Sequence, residues 1–183
     1  MPRSQPKILP AYDDATLERA ALDYAARYAT TRAKLTAYLR RKLRERGWAG
    51  SGAPPVELLV ARFADRGYVD DAAFARARAD ALTRRGYGKR RIGTALRAAG
   101  IDAETIGDLD ERMEAEAEAA AMLFARRRRI GPFASEPPDP ARKRRWFAAM
   151  MRAGHPIRLV YRVLDIAPGD VDIAAGGHHD DMP

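Results

Sequence analysis

The chain contains no cysteine, which removes disulfides, thiol nucleophiles and cysteine-ligated zinc together and fits a reducing compartment. It also lacks any run near the roughly 18 apolar residues of a membrane span. Its opening MPRSQPKILP has none of the apolar core that a signal peptide needs. A cytoplasmic protein without a membrane partner is the expectation. Runs of alternating β-branched residues are missing, which argues against a sheet. Histidine is scarce: His155 precedes Pro156 at a turn, and His178 and His179 stand in a Gly- and Asp-rich terminal stretch. None has a fixed frame of metal-ligand spacing, and no metal or other cofactor is expected.

What the chain has in abundance is alanine, leucine and arginine. Apolar residues make up 46% and charged ones 32% of 183 residues, too apolar a mixture for a wholly disordered chain. Lys+Arg outnumber Asp+Glu by 33 to 25, so an anionic partner is implied, either nucleic acid or an acidic protein surface. From Thr16 to Leu164 apolar residues recur three and four apart, the pattern of an all-α body. Breaks at WAGSGAPP, RGYVD, RRGYG, AAGID, IGPFASEPPDP and AGHP divide it into about nine short helices.

Aligning the breaks exposes a repeat. Lys89-Arg90-Arg91-Ile92, Leu96 and Gly100 match Lys143-Arg144-Arg145-Trp146, Met150 and Gly154 at a shift of 54 residues. Leu39, Leu43 and Gly47 keep the same apolar spacing 53 residues before Gly100, and Tyr24, Phe74 and Phe124 follow one another at intervals of 50. The expected architecture is three tandem three-helix repeats, elongated and curved, at 15–67, 68–109 and 110–166. A disordered arm is expected at 1–14 and a disordered tail at 167–183.

In GYVDDAAF, Asp70 is placed to cap a helix, with Val69 and Phe74 in staple positions. Asp102 with Ile101 and Ile106, and Gly88 with Tyr87 and Ile92, repeat the frame. GYGK is therefore a helix start. A dinucleotide loop would need a third glycine where Arg91 stands, and a preceding strand. Lys89, Arg90 and Arg91 crowd that start, and Arg142 to Arg145 crowd another, although a helix N-terminus disfavours cations. Either these are solvated faces, or helix-start amides and basic side chains together receive an anion. Arg126 to Arg129, at a helix end, suit the helix dipole. The adjacent Asp70 and Asp71 read as caps rather than metal ligands, and Glu114, Glu116 and Glu118 as a balance for the neighbouring arginines. Trp48, Tyr68, Phe124 and Trp146 read as core or turn anchors. No arrangement suggests an enzyme.

Gly67-Tyr68-Val69-Asp70-Asp71 with Phe74-Ala75, followed by Arg85-Gly86, Gly88, Arg90-Arg91-Ile92, Leu96 and Gly100-Ile101, resembles the signature of the RecX family, bacterial regulators of the RecA recombinase. RAKL from Arg32 and KLRERGW from Lys42 resemble that family's first repeat. The resemblance implies three tandem three-helix repeats in a non-catalytic regulator of homologous recombination and DNA repair. Such a protein lies in the groove of a RecA filament on DNA and suppresses ATP hydrolysis and strand exchange, without a cofactor. Carried over by position, Gly67, Tyr68, Asp70, Asp71, Phe74, Gly86, Gly100 and Ile101 form the motif's scaffold. Lys89, Arg90, Arg91 and Arg97, with Lys143, Arg144 and Arg145 from the matching repeat, are the candidate contacts to filament or DNA. The chain is expected to act as a monomer. The alternative is a direct DNA-binding helical module that serves as a repressor or architectural protein.

Overall fold

The structure, a computed structural model, describes residues 10–170. The parts of the expected arm and tail at 1–9 and 171–183, with His178 and His179, lie outside the described residues. Among the described residues the fold is all-α. The helices are α1 (Asp14–Arg27), α2 (Arg32–Arg46), α3 (Val56–Asp65), α4 (Asp71–Thr83), α5 (Lys89–Ala98), α6 (Ala103–Gly107), α7 (Asp110–Ala115), α8 (Ala117–Arg128), α9 (Pro140–Arg152) and α10 (Ile157–Asp165). Helices α7 and α8 meet at Glu116 and together supply the first arm of the last three-helix set. This interruption is why ten segments stand where about nine were expected.

Local chemistry sets several of the starts. Asp13 and Thr16 form a reciprocal capping box at α1, the Asp13 carboxylate accepting from the Thr16 amide at 2.8 Å and Thr16 Oγ1 accepting from the Asp13 amide at 3.0 Å. Asp70 Oδ1 accepts from the Ala73 amide at 2.8 Å, and Asp102 Oδ1 from Thr105 at 2.7 Å. The Gly88 carbonyl accepts from Arg91 at 3.0 Å and Ile92 at 3.1 Å, so α5 opens where the sequence places it. Asp70→Ala is expected to cost about 1 kcal/mol in a urea melt, whereas Asp70→Asn, which keeps an acceptor oxygen, should cost less.

The chain forms two compact units. One comprises the described residues up to Phe74 together with Ala99–Ile101; the other comprises Ala75–Ala98 and the described residues from Asp102 onward. The middle three-helix set is thus shared between them, as befits about forty residues that cannot enclose a core alone. In the first unit α3 turns Val56, Leu59, Val60 and Phe63 inward, the i, i+3, i+4, i+7 stripe of an amphipathic helix. They meet Leu17, Leu35 and Leu39, all with no measurable exposure. Burying each such side chain contributes roughly 1.5–3 kcal/mol. In the second unit small residues of α8, Ala117, Ala121 and Ala125, share a core with Trp146 and Met150 of α9 and Val160 of α10.

One part of the expected arm is ordered. Tyr12 is buried, its amide donates to the Gly47 carbonyl at 3.0 Å, and the Arg46 guanidinium lies over its ring at 4.1 Å. Proline content alone gave no sign of this aromatic anchor. At the other end Gly169, inside the expected tail, donates to the Pro132 carbonyl at 2.9 Å.

Candidate partner-binding surface

Two helix-end joints, one inside each unit, share a design. In the first unit the buried Thr31 hydroxyl accepts from the Lys34 amide at 3.1 Å and donates to the Ala99 carbonyl at 2.7 Å. It caps the start of α2 and holds the turn that follows α5. A Cβ on Gly100 would stand 2.2 Å from that of Ala33. Asp71 completes the joint by accepting from the Arg32 amide at 2.9 Å. Both aspartates of the DD pair are therefore caps, one for α4 and one for α2.

In the second unit the turn before α5 meets the turn after α9. The Gly88 amide donates to the Ala153 carbonyl at 2.9 Å and the Arg90 amide to Gly154 at 3.3 Å. A Cβ on Gly88 would come within 2.4 Å of the Gly154 oxygen, and one on Gly154 within 2.4 Å of the Arg91 nitrogen. The positive start of one helix faces the negative end of another, a favourable pairing. These amides are consequently occupied by protein, and the anion-receiving helix start considered from the sequence is covered at α5.

His155 locks the joint. It is buried, packs against Phe124 at 5.6 Å, and its Nε2 lies 3.0 Å from the Gly86 carbonyl. A carbonyl can only accept, so Nε2 carries the hydrogen, and Nδ1 is buried without a partner among the described residues. Burial pushes the pKa below its ordinary 6.5, and the Gly86 bond offsets this only in part. Below pH 6.5 the unfolded chain takes up a proton that the folded one resists, so stability is full above that pH and declines as pH falls toward the folded-state pKa. The melting temperature is expected to drop between about pH 7 and pH 5, and His155→Asn should abolish that slope.

Beside this joint runs a groove of about 380 Å³. Arg78, Arg85, Arg90, Arg91 and Arg152 line it, with Tyr87, Leu82 and Ala95 among its uncharged walls and, among the described residues, no carboxylate. The Arg91 guanidinium lies 5.1 Å over the Tyr87 ring. Arg90 donates to the Met151 carbonyl at 2.7 Å, so this cation at an unfavourable helix start is stabilised by the end of α9.

The seven candidate contact residues are not gathered in one place. Arg90 and Arg91 share the groove; Lys89 instead pairs with Asp110 at 3.1 Å, and Lys143 with Asp165 at 3.1 Å. Arg97 lies beside Gly93, Arg144 lines a separate apolar hollow with Phe147 and Tyr161, and Arg145 is exposed. Arg78, Arg85 and Arg152 are the additions that the structure makes. Arg78 stands four positions before Leu82 on α4, Arg85 lies in the turn that follows that helix, and Arg152 ends α9, so no shared spacing in the sequence joins them. Glu114 and Glu118 pair with Arg158 and Arg162 of α10, and Glu116 with Arg112, rather than with the Arg126–Arg129 run that they were expected to balance. Helix α8 carries that run away from them at its far end.

Among the described residues, no helix is long and apolar enough to cross a membrane. Fold and surface together define an all-α protein of tandem three-helix sets with an arginine-lined groove. A family model described as RecX, second three-helix domain, matches residues 70–108. Regulatory protein RecX of Myxococcus xanthus (strain DK1622) is 34% identical over 175 residues, covering 91% of this chain and 91% of that protein. Regulatory protein RecX of Thermobifida fusca (strain YX) is 33% identical over 136 residues, 73% of this chain and 69% of that one. The chain belongs to the RecX family and is a regulatory protein.

Two solved structures share the fold. A crystal structure of regulatory protein RecX aligns at TM-score 0.58 and 21% identity, over 82% of this chain and 70% of that one. The crystal structure of RecX from Lactobacillus salivarius aligns at 0.59 and 16%, over 82% and 96%.

Proposed function

We propose that this protein binds RecA filaments on DNA and lowers their ATPase and strand-exchange activity, with no chemistry of its own. The observation that carries the reading is the groove: five arginines line it, and among the described residues no carboxylate does. Guanidinium forks suit carboxylate and phosphate alike, so the groove fits the anionic surface of a protein–DNA filament. The middle three-helix set, at 68–109, supplies most of it, and the matching repeats extend contact along the filament. Many modest contacts then act at high effective concentration.

The test is the single-stranded-DNA-dependent ATPase of the cognate RecA, titrated with this protein at two salt concentrations with DNA in excess. Inhibition at well under one regulator per recombinase, persisting in excess DNA, is the expected result. Inhibition erased by added DNA, with a steep salt dependence, would instead indicate direct competition for phosphate.

A further inference from the structure

In the first unit the end of α1 and the middle of α2 line a hollow of about 370 Å³. Three tyrosines meet there. Tyr24 and Tyr38 stack with ring centroids 4.1 Å apart and 14° between planes, and Tyr28 leans on Tyr24 at 5.3 Å. Tyr24 and Tyr38 are half-buried and packed on the core, whereas Tyr28 is 58% exposed. Among the described residues Arg27, Arg41 and Lys42 line the hollow with one carboxylate, Asp23. The Arg41 and Lys42 head groups lie 5.5 and 5.9 Å from the Tyr38 ring. Both also pair with Glu45, one carboxylate between two cations, so positive charge remains.

Core packing does not require an exposed tyrosine at the end of such a stack. An aromatic surface backed by rigid rings and bordered by cations fits a ligand that has flat faces and negative charge at regular intervals. Duplex DNA hides its base faces. Single-stranded nucleic acid presents both features, and an acidic peptide offers the charge without the faces. We infer that Tyr28, supported by Tyr24 and Tyr38, is a stacking site for an unpaired base of single-stranded nucleic acid, with Arg27, Arg41 and Lys42 receiving the flanking phosphates. This site belongs to the free protein and does not rest on filament binding.

The experiment is fluorescence anisotropy of the full chain, without recombinase, on a short labelled oligothymidylate and on an abasic strand of equal length and charge. The expected result is about tenfold tighter binding to the strand with bases. Tyr28→Ala should remove this preference while leaving abasic binding unchanged, and Tyr28→Phe should keep it. Because Tyr28 is exposed, its variants should melt like the parent. Equal affinity of the parent chain for the two strands, binding to neither, or a preference that survives Tyr28→Ala would each overturn the proposal. None of these outcomes would bear on inhibition of the recombinase.

Discussion

Gly154→Ala is expected to lower the unfolding free energy by about 2–4 kcal/mol, the sum of backbone strain and overpacking. Its φ is +93°, a conformation that L-residues rarely adopt. The added Cβ would stand 2.4 Å from the Arg91 nitrogen and 2.9 Å from the Gly88 oxygen, and neither is the end of a flexible side chain. Gly67 is the natural control: its φ is +74° and nothing lies within 4 Å of an added Cβ. Gly67→Ala should therefore show the strain without the collision. Urea melts of the two variants measure the difference; equal losses would mean that the contact at Gly154 adds nothing.

Reversing two groove charges should abolish regulation and leave the fold intact. Arg78→Glu with Arg85→Glu is expected to raise the concentration needed for half-inhibition of the recombinase ATPase at least tenfold. Both side chains are exposed and make no ion pair among the described residues. A like-charge face now meets an anionic partner, a mismatch that costs several kcal/mol across an interface. Arg126→Glu with Arg127→Glu changes the net charge equally at the exposed end of α8, outside the groove lining. That pair should retain inhibition; an equal loss in both would assign the effect to overall charge. Arg90 is a poor choice for such a test because its guanidinium also holds the Met151 carbonyl.

Helix starts were legible because caps are local. Asp70, Asp102 and Gly88 each act within three or four residues of themselves, and the repeat keeps them in register. The joints were not legible. His155 and Gly86 are 69 residues apart, Arg90 and Met151 are 61 apart, and no periodic pattern links either pair. Repeat alignment placed Gly100 and Gly154 in equivalent positions, yet gave no hint that each meets the start of another helix. The groove was half legible. Arg90 and Arg91 stood out as a cluster, but Arg78 and Arg152 reach it from two other helices and look in sequence like ordinary solvated charges. The tyrosine stack escaped notice because Tyr24 and Tyr38 lie on consecutive helices fourteen positions apart.

The joint in the second unit is made largely from main-chain atoms: the Gly88 amide, the carbonyls of Ala153 and Gly154, and the space that missing side chains leave. A fastening of this kind places few demands on the character of nearby surface residues. Charge on the outer faces of α4 and α9 can be gained, lost or exchanged while the hinge pins stay the same. The scaffold and the surface that it displays are thereby separable under mutation, and one framework can be retuned to a changing partner without being rebuilt.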